Sequence, residues 1–201
     1  MVVESIQRSK ERFGFSEDAF LMTTVSKNLQ GRMNETFATA IARILQRCQG
    51  AFYVPIGPSP PFALYPSIFE NYDVDERVIF LGHLENPYAA LVNMDMYLNE
   101  FPCGSGLSLL EAMAAGCPIV SMDYPYGPIQ GRHGANYFSR DRCISPPSLT
   151  AYIELACSLI ENRQKYKGWS HYALERYKER SNMDVYMGRH MHILRELRSC
   201  L

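Results

Sequence analysis

Apolar residues occur along the chain in two alternating patterns: short continuous runs and repeats with helical spacing. Each continuous run predicts a β-strand, and the runs are 18–26, 50–57, 77–82, 95–101 and 117–123. The run at 77–82 is apolar almost throughout, which is typical of a parallel strand buried on both faces. Helical spacing predicts helices over 33–48, 63–75, 86–94 and 106–116.

Strands and helices that alternate at roughly 25-residue intervals indicate an α/β fold with a doubly wound parallel sheet of the Rossmann-like type. We predict one domain over 1–201, with the sheet core at 18–145 and C-terminal helices at 146–201. Gly168 and the stretch Arg-Ser-Asn-Met-Asp at 180–184 are expected to divide that tail into three helices.

The charges nearly balance, with 20 Lys and Arg against 21 Asp and Glu. No apolar run approaches the ~18 residues that span a bilayer, and charges occupy the N-terminal positions where a signal peptide is apolar. We therefore expect a cytoplasmic protein with no nucleic-acid partner. Residues 161–201 hold nine basic and five acidic side chains, which indicates either a weak membrane-surface association or a solvated helix.

Six cysteines contain no Cys-x-x-Cys pair and no histidines at zinc spacing, so we interpret them as reduced, mostly buried thiols. His190 and His192 alternate within a helical segment and do not share a helix face, which favours solvated surface over a ligand pair. The sequence predicts no metal site and no cofactor.

The stretch Pro-Cys-Gly-Ser-Gly at 102–106 joins a predicted strand to a predicted helix. Gly104 and Gly106 would let backbone N–H groups approach an anion at the positive end of that helix, and Ser108 would add a hydroxyl donor. Glu111, one turn on, can accept hydrogen bonds from a sugar diol. Alternatively, Ser108 and Glu111 form a capping box.

The two common phosphate-binding motifs, G-x-x-x-x-G-K-[ST] and G-x-G-x-x-G after a first strand, are absent. This disfavours ordinary NTPase and dehydrogenase chemistry. Gly116, with Pro118 beyond it, is a signal for the end of the helix.

The segment RVIFLGHLENPYAALVNMDMYLNEFPCGSGLSLLEAMAAGCPIVSMD resembles the C-terminal, donor-binding half of GT-B glycosyltransferases. The stretch 102–106, called the glycine turn below, is most similar to the corresponding turn of O-GlcNAc-transferase-like and group 1 enzymes. A looser resemblance covers 18–162. It implies a sugar nucleotide as donor substrate, with Ser108 contacting phosphate and Glu111 contacting ribose. The implied donor-binding residues at the turn are Gly104, Ser105, Gly106, Leu107, Ser108 and Glu111.

The resemblance also implies a basic residue after the first strand that neutralises the donor diphosphate. Arg32 is the better-placed candidate, because a guanidinium binds two phosphate oxygens, and Lys27 is second. Arg32 precedes a predicted helix, where a positive charge opposes the macrodipole, and this favours function over an incidental surface position. His83 would lie beside the nucleotide base, and Arg132 is a weaker candidate. Arg32 and Glu111 are the predicted catalytic residues.

Two departures from the family pattern limit this interpretation. Many retaining relatives carry a Glu-x7-Glu motif, but Cys103 occupies the first position and Glu100 lies three residues too early, so the stereochemical outcome stays open. The length suits one of two Rossmann-like halves, so we expect the N-terminal acceptor domain to be absent.

We therefore predict the donor-binding domain of a nucleotide-sugar-dependent, hexosyltransferase-like glycosyltransferase. We expect it to be inactive without an N-terminal half or partner chain, and its acceptor would be a glycan, lipid or protein. The alternatives are a non-catalytic partner subunit and the sugar-nucleotide epimerase or hydrolase half of the same fold.

Overall fold

The computed structural model describes residues 9–58, 66–125 and 129–181. The strands of its sheet are β1 (Phe20–Thr23), β2 (Ala51–Tyr53), β3 (Met96–Leu98) and β4 (Ile119–Val120). They are all parallel, in the order β2-β1-β3-β4. The chain therefore builds outward from β1 to β2, returns to the centre and builds outward again from β3 to β4. The predicted α/β doubly wound sheet is confirmed.

Helices cover both faces of this sheet. They are α1 (Leu29–Arg32), α2 (Glu35–Arg47), α3 (Pro66–Asn71), α4 (Pro87–Leu91), α5 (Leu107–Ala114), α6 (Leu149–Glu161) and α7 (Arg163–Ser181). The helices predicted at 33–48, 63–75, 86–94 and 106–116 are confirmed as α2 to α5. Left-handed Gly116 (φ 74°) directly follows the last turn of α5, as its position predicts.

Two hydrophobic cores lie on opposite faces of the sheet, because successive strand residues point to opposite sides. Met22 joins the core formed with α2, α3 and α6, whereas Leu21 joins the core formed with α4, α5 and α7. The apolar stripe of α2 is buried completely, including Phe37 and Ile41. Burial of each such side chain stabilises the fold by about 1.5–3 kcal/mol.

The prediction of a strand buried on both faces at 77–82 is wrong. This segment is extended beside β2, but it pairs only through two isolated bridges, Tyr53 with Val78 and Ile56 with Gly82. It lies outside β2 at the sheet edge, and Ile79 is exposed. Apolar composition alone does not supply a neighbour on the outer side, so the segment remains half-buried.

The C-terminal helices divide at Asn162 and not at Gly168. The Asn162 side chain accepts a hydrogen bond from the backbone N–H of Lys165 (2.9 Å), which caps the start of α7. Gly168 lies inside α7, so the predicted break there is wrong. The helix continues to Ser181, and the expected third helix, with His190 and His192, falls outside the described residues.

The cysteines within the described ranges are free thiols. Four are buried, namely Cys48, Cys117, Cys143 and Cys157, as predicted, and Cys103 is half-buried in the glycine turn. Cys200 lies outside the described part of the chain. No helix in the described ranges is long and apolar enough to cross a membrane.

Candidate active site

The carboxyl ends of β1 and β3 form the point where the sheet reverses its winding direction. The loops that follow these neighbouring strands lead to helices on opposite faces, so they separate and leave a crevice. Buried polar side chains lie here, and their hydrogen bonds join the ends of these strands to each other and to α6. For example, the Thr24 hydroxyl donates to the carbonyl oxygen of Leu98 (2.8 Å), and the Tyr152 hydroxyl donates to that of Asn99 (3.1 Å).

The glycine turn leads directly into α5. Gly106 is the N-cap residue, and no side chain caps the helix. Ser108 is the second helical residue, and its hydroxyl lies 3.1 Å from the hydroxyl of Ser105. The capping-box interpretation of Ser108 and Glu111 is therefore wrong. The first backbone N–H groups of α5 keep the positive partial charge that attracts anions at a helix start.

Both glycines of the turn face protein side chains. A Cβ atom at Gly104 would lie 2.6 Å from the amide nitrogen of Asn99, and one at Gly106 would lie 3.2 Å from the His133 ring. Neither has the positive φ that requires glycine. The sequence predicts clearance for an anion at these glycines, but packing against Asn99 and His133 is sufficient to explain both.

Arg32 is the last residue of α1, which Asn28 caps through the backbone N–H of Gly31 (3.1 Å). A positive charge is favourable at the C-terminus of α1, but Arg32 also lies two residues before Asn34, the N-cap of α2, so its conflict with the macrodipole of α2 stays a prediction. Asn34 then caps α2 and also donates to the carbonyl oxygen of Phe101 (3.0 Å). This bond connects the segment between α1 and α2, which follows Arg32, to the segment that precedes the glycine turn.

Glu100 lies beside Arg32, with 3.8 Å between Oε1 and the Nη1 atom of Arg32. Its side chain is 0% exposed, and its Oε2 atom accepts a hydrogen bond from the backbone N–H of Ser105 (3.3 Å). Burial raises the pKa of Glu100 to about 7, although Arg32 and the hydrogen bonds act in the opposite direction. Glu100 is not among the residues predicted for the site, because its contact with Arg32 joins segments that are distant in sequence.

His133 contacts the glycine turn at both of its glycines. Its Nδ1 atom lies 3.0 Å from the carbonyl oxygen of Gly104, so Nδ1 donates the hydrogen bond. Burial lowers the pKa of His133, with Arg32 adding to the effect. The neighbouring Arg132, which we considered for the cleft, pairs with Asp123 (3.3 Å). Nothing in the sequence marked His133, because its contact with Gly104 spans 29 residues.

The remaining predicted residues lie at the same end of the sheet. Lys27 and His83 are exposed on the loops that follow β1 and the extended segment 77–82. Leu107 is 71% exposed at the start of α5. Glu111 is half-buried one turn along the helix, and burial raises its pKa. The contacts described above join Arg32, the turn and Ser108 into one cluster.

Solved structures with a similar fold include glycosyltransferases. The pneumococcal O-GlcNAc transferase GtfA, in complex with UDP and GlcNAc, matches with a TM-score of 0.68 at 19% identity, over 97% of this chain and 38% of that one. A mutant of the Thermobaculum terrenum O-GlcNAc transferase matches with a TM-score of 0.70 at 16% identity, over 81% of this chain and 32% of that one. These similarities show a GT-B, Rossmann-like fold.

Among curated proteins, N-acetyl-alpha-D-glucosaminyl L-malate synthase of Bacillus anthracis is 29% identical over 112 residues. That match covers 55% of this chain and 29% of the relative, so the chain spans about a third of the length of this relative and of the two solved structures above. The family model for glycosyl transferases group 1 matches residues 25–162, more than half of the chain. The chain therefore belongs to the group 1 glycosyltransferases.

Proposed function

We propose that this chain binds the diphosphate of a nucleotide sugar at the start of α5 and serves as the donor-binding half of a hexosyltransferase-like enzyme. One observation carries the proposal: the Arg32 guanidinium lies beside Glu100, which also bonds the turn that begins α5. A cation and a helix N-terminus thus meet where the sheet winding reverses. This combination suits a diphosphate better than a neutral ligand.

Five of the candidate residues have a role in this proposal. Arg32, the Ser108 hydroxyl and the first N–H groups of α5 bind the diphosphate, and Glu111 accepts hydrogen bonds from the ribose hydroxyls. Lys27 is a second cation at the edge of the site, and His83 lies on the loop toward the base. During transfer, Arg32 and the helix N-terminus would stabilise the charge that develops on the departing diphosphate.

The relatives favour a uridine nucleotide carrying an N-acetylhexosamine. GtfA was solved with UDP and GlcNAc, and the Bacillus anthracis relative is named for N-acetylglucosaminyl transfer. The site described here supplies donor contacts only. We propose that a second half, in the same protein or in a partner chain, supplies the acceptor site, which would hold a glycan, a lipid or a protein.

Calorimetric titration of the 201-residue chain with UDP, GDP, ADP and UDP-N-acetylglucosamine tests the proposal. We expect the uridine ligands to bind more tightly than GDP and ADP. Arg32→Ala should weaken UDP binding by about 1.5–3 kcal/mol, the scale of a charge-assisted hydrogen bond. Arg43→Ala, on the exposed face of α2, is the matched control and should bind as the parent does.

The result also separates this function from its alternatives. A folded chain that binds none of the four nucleotides is a non-catalytic partner subunit, and the proposal is then wrong. A chain that hydrolyses UDP-N-acetylglucosamine without an added second half would favour the hydrolase interpretation.

A further inference from the structure

Glu100 is a completely buried carboxylate with few polar contacts. Ser105 donates one backbone N–H to Oε2, at 3.3 Å, whereas the Tyr97 hydroxyl donates to the carbonyl oxygen of Val25 (3.5 Å). The Oε1 atom is buried and has no hydrogen-bond partner. A buried carboxylate normally accepts several hydrogen bonds, because its charge is otherwise poorly compensated away from water.

The charge opposite Glu100 is that of Arg32. The Nη1 atom of Arg32 lies 3.8 Å from Oε1, which is an ion-pair distance but too long for a hydrogen bond. This Nη1 atom is itself buried without a hydrogen-bond partner. The two atoms thus attract each other while each keeps an unused hydrogen-bonding position.

The other titratable groups around Glu100 are neutral near pH 7. Tyr53 of β2, Tyr97 of β3 and Tyr152 of α6 interact with it electrostatically, and burial raises the pKa of each phenol further above its ordinary value. His133, which faces Arg32, has a lowered pKa because of burial. Near neutral pH, the full positive charge acting on Glu100 is therefore that of Arg32.

We propose that Glu100 is the counter-ion of Arg32 in the empty cleft and takes up a proton when a donor diphosphate binds to Arg32. The inference rests on the proposed function of the cleft. The diphosphate carries two negative charges and engages the guanidinium, so it weakens the attraction between Arg32 and Glu100. Its charge also repels the ionised carboxylate, and both effects favour the protonated form.

The pKa of Glu100 before a donor binds allows this proton uptake near neutral pH. Burial raises the pKa of Glu100 to about 7, so both forms of the carboxyl group are populated near neutral pH. Because linkage is reciprocal, a ligand that promotes protonation must itself bind more tightly when the group is protonated. Donor affinity should therefore fall as pH rises through the titration range of Glu100.

The probe is UDP-N-acetylglucosamine, whose diphosphate is a diester and does not titrate near neutral pH. We would measure its binding enthalpy by calorimetry at pH 7.5 in HEPES, Tris and imidazole buffers, which differ in ionisation enthalpy. The parent should take up roughly 0.3–0.8 proton per site, and its affinity should fall about three- to tenfold between pH 6.5 and 8.5.

The matched variants are Glu100→Gln and His133→Asn. Glu100→Gln should show no proton uptake and an affinity that changes little over this pH range, since its side chain cannot ionise. His133→Asn should keep the uptake, which separates Glu100 from the other titratable group near Arg32. Measuring the ¹³C carboxyl shift of Glu100 in the parent, with and without the probe, requires no substitution and should show titration moving to higher pH on binding.

The outcomes distinguish this inference from the function on which it rests. If the parent binds the probe without proton uptake, or if Glu100→Gln takes up as many protons as the parent, the proposed protonation of Glu100 is wrong. The proposed donor site is still supported in that case, because the probe binds. If the folded parent binds none of the nucleotides, the proposed donor site is wrong, and so is the protonation of Glu100 that depends on it.

Discussion

The Nδ1 atom of His133 lies 3.0 Å from the carbonyl oxygen of Gly104, so a residue that follows β4 holds the turn that follows β3. The ring also packs beside Gly106 and Tyr137, with 5.4 Å between the His133 and Tyr137 ring centroids. The shape of the glycine turn thus depends on a segment that is remote in sequence.

Replacing His133 should loosen this turn. His133→Ala removes the hydrogen bond and the ring contacts, and we expect a loss of about 1–2 kcal/mol in the free energy of unfolding and weaker UDP binding. His133→Asn places an amide N–H near the position of Nδ1 and should recover most of both. Urea denaturation and calorimetry measure the two quantities, and equal behaviour of the Ala and Asn variants would contradict the role of the hydrogen bond.

The same side chain should contribute a pH dependence. Burial lowers the pKa of His133 in the folded protein, so its neutral form is favoured there. The associated stability is present above the unfolded value of about 6.5 and is lost as the pH falls through the folded value. Subtracting the urea profile of His133→Asn from that of the parent isolates this contribution, and a difference that does not change with pH would exclude it.

Glu111→Gln tests the proposed ribose contact. Because Ser108 and Glu111 do not form a capping box, the substitution should leave the melting temperature nearly unchanged. It exchanges a charged acceptor for a neutral amide, so UDP should bind several-fold more weakly. A dideoxyribose analogue of UDP should bind parent and variant alike, and an equal loss with both ligands would assign Glu111 a role other than binding ribose.

Gly104→Ala should force Asn99 to move. A Cβ atom there would lie 2.6–3.0 Å from the amide group of Asn99, which is too close for carbon. We expect destabilisation of about 1–3 kcal/mol, as for other overpacked positions. Combining it with Asn99→Ala should recover part of that loss, whereas Gly50→Ala, with open space around it, is the matched control.

Gly168→Ala should stabilise the protein. Gly168 lies inside α7, and a Cβ atom there would meet nothing within 4 Å. Alanine has the higher helix propensity, by about 1 kcal/mol, so the midpoint of urea denaturation should rise. A lower midpoint would indicate that the backbone at this position is not helical.

The position of Gly168 also shows what the sequence could predict. The apolar repeat of α2, with Asn34 as its cap, has a local signal and was located within two residues. A glycine is a weak local signal against the rest of a 19-residue helix, so the predicted break failed. The strand prediction at 77–82 failed because composition does not reveal whether a neighbouring strand exists.

Some residues of the candidate site could likewise be predicted from the sequence, and others could not. The glycine turn could be proposed because it joins a predicted strand to a predicted helix, and Arg32 because the family resemblance implies a basic residue in the loop after the first strand. Glu100 and His133 could not be assigned, since their importance comes from contacts with Arg32 and Gly104. Sequence spacing does not encode such long-range contacts.

The packing of the two turn glycines determines which positions a protein engineer could vary. Libraries aimed at a new donor sugar should leave Gly104 and Gly106 fixed, since a side chain at either meets Asn99 or the His133 ring before it meets a ligand. Leu107 is the first residue of α5, directly after the turn, and 71% of its surface is exposed. It is the adjacent position where side chains of many sizes fit without repacking the core, and so the natural first choice for randomisation.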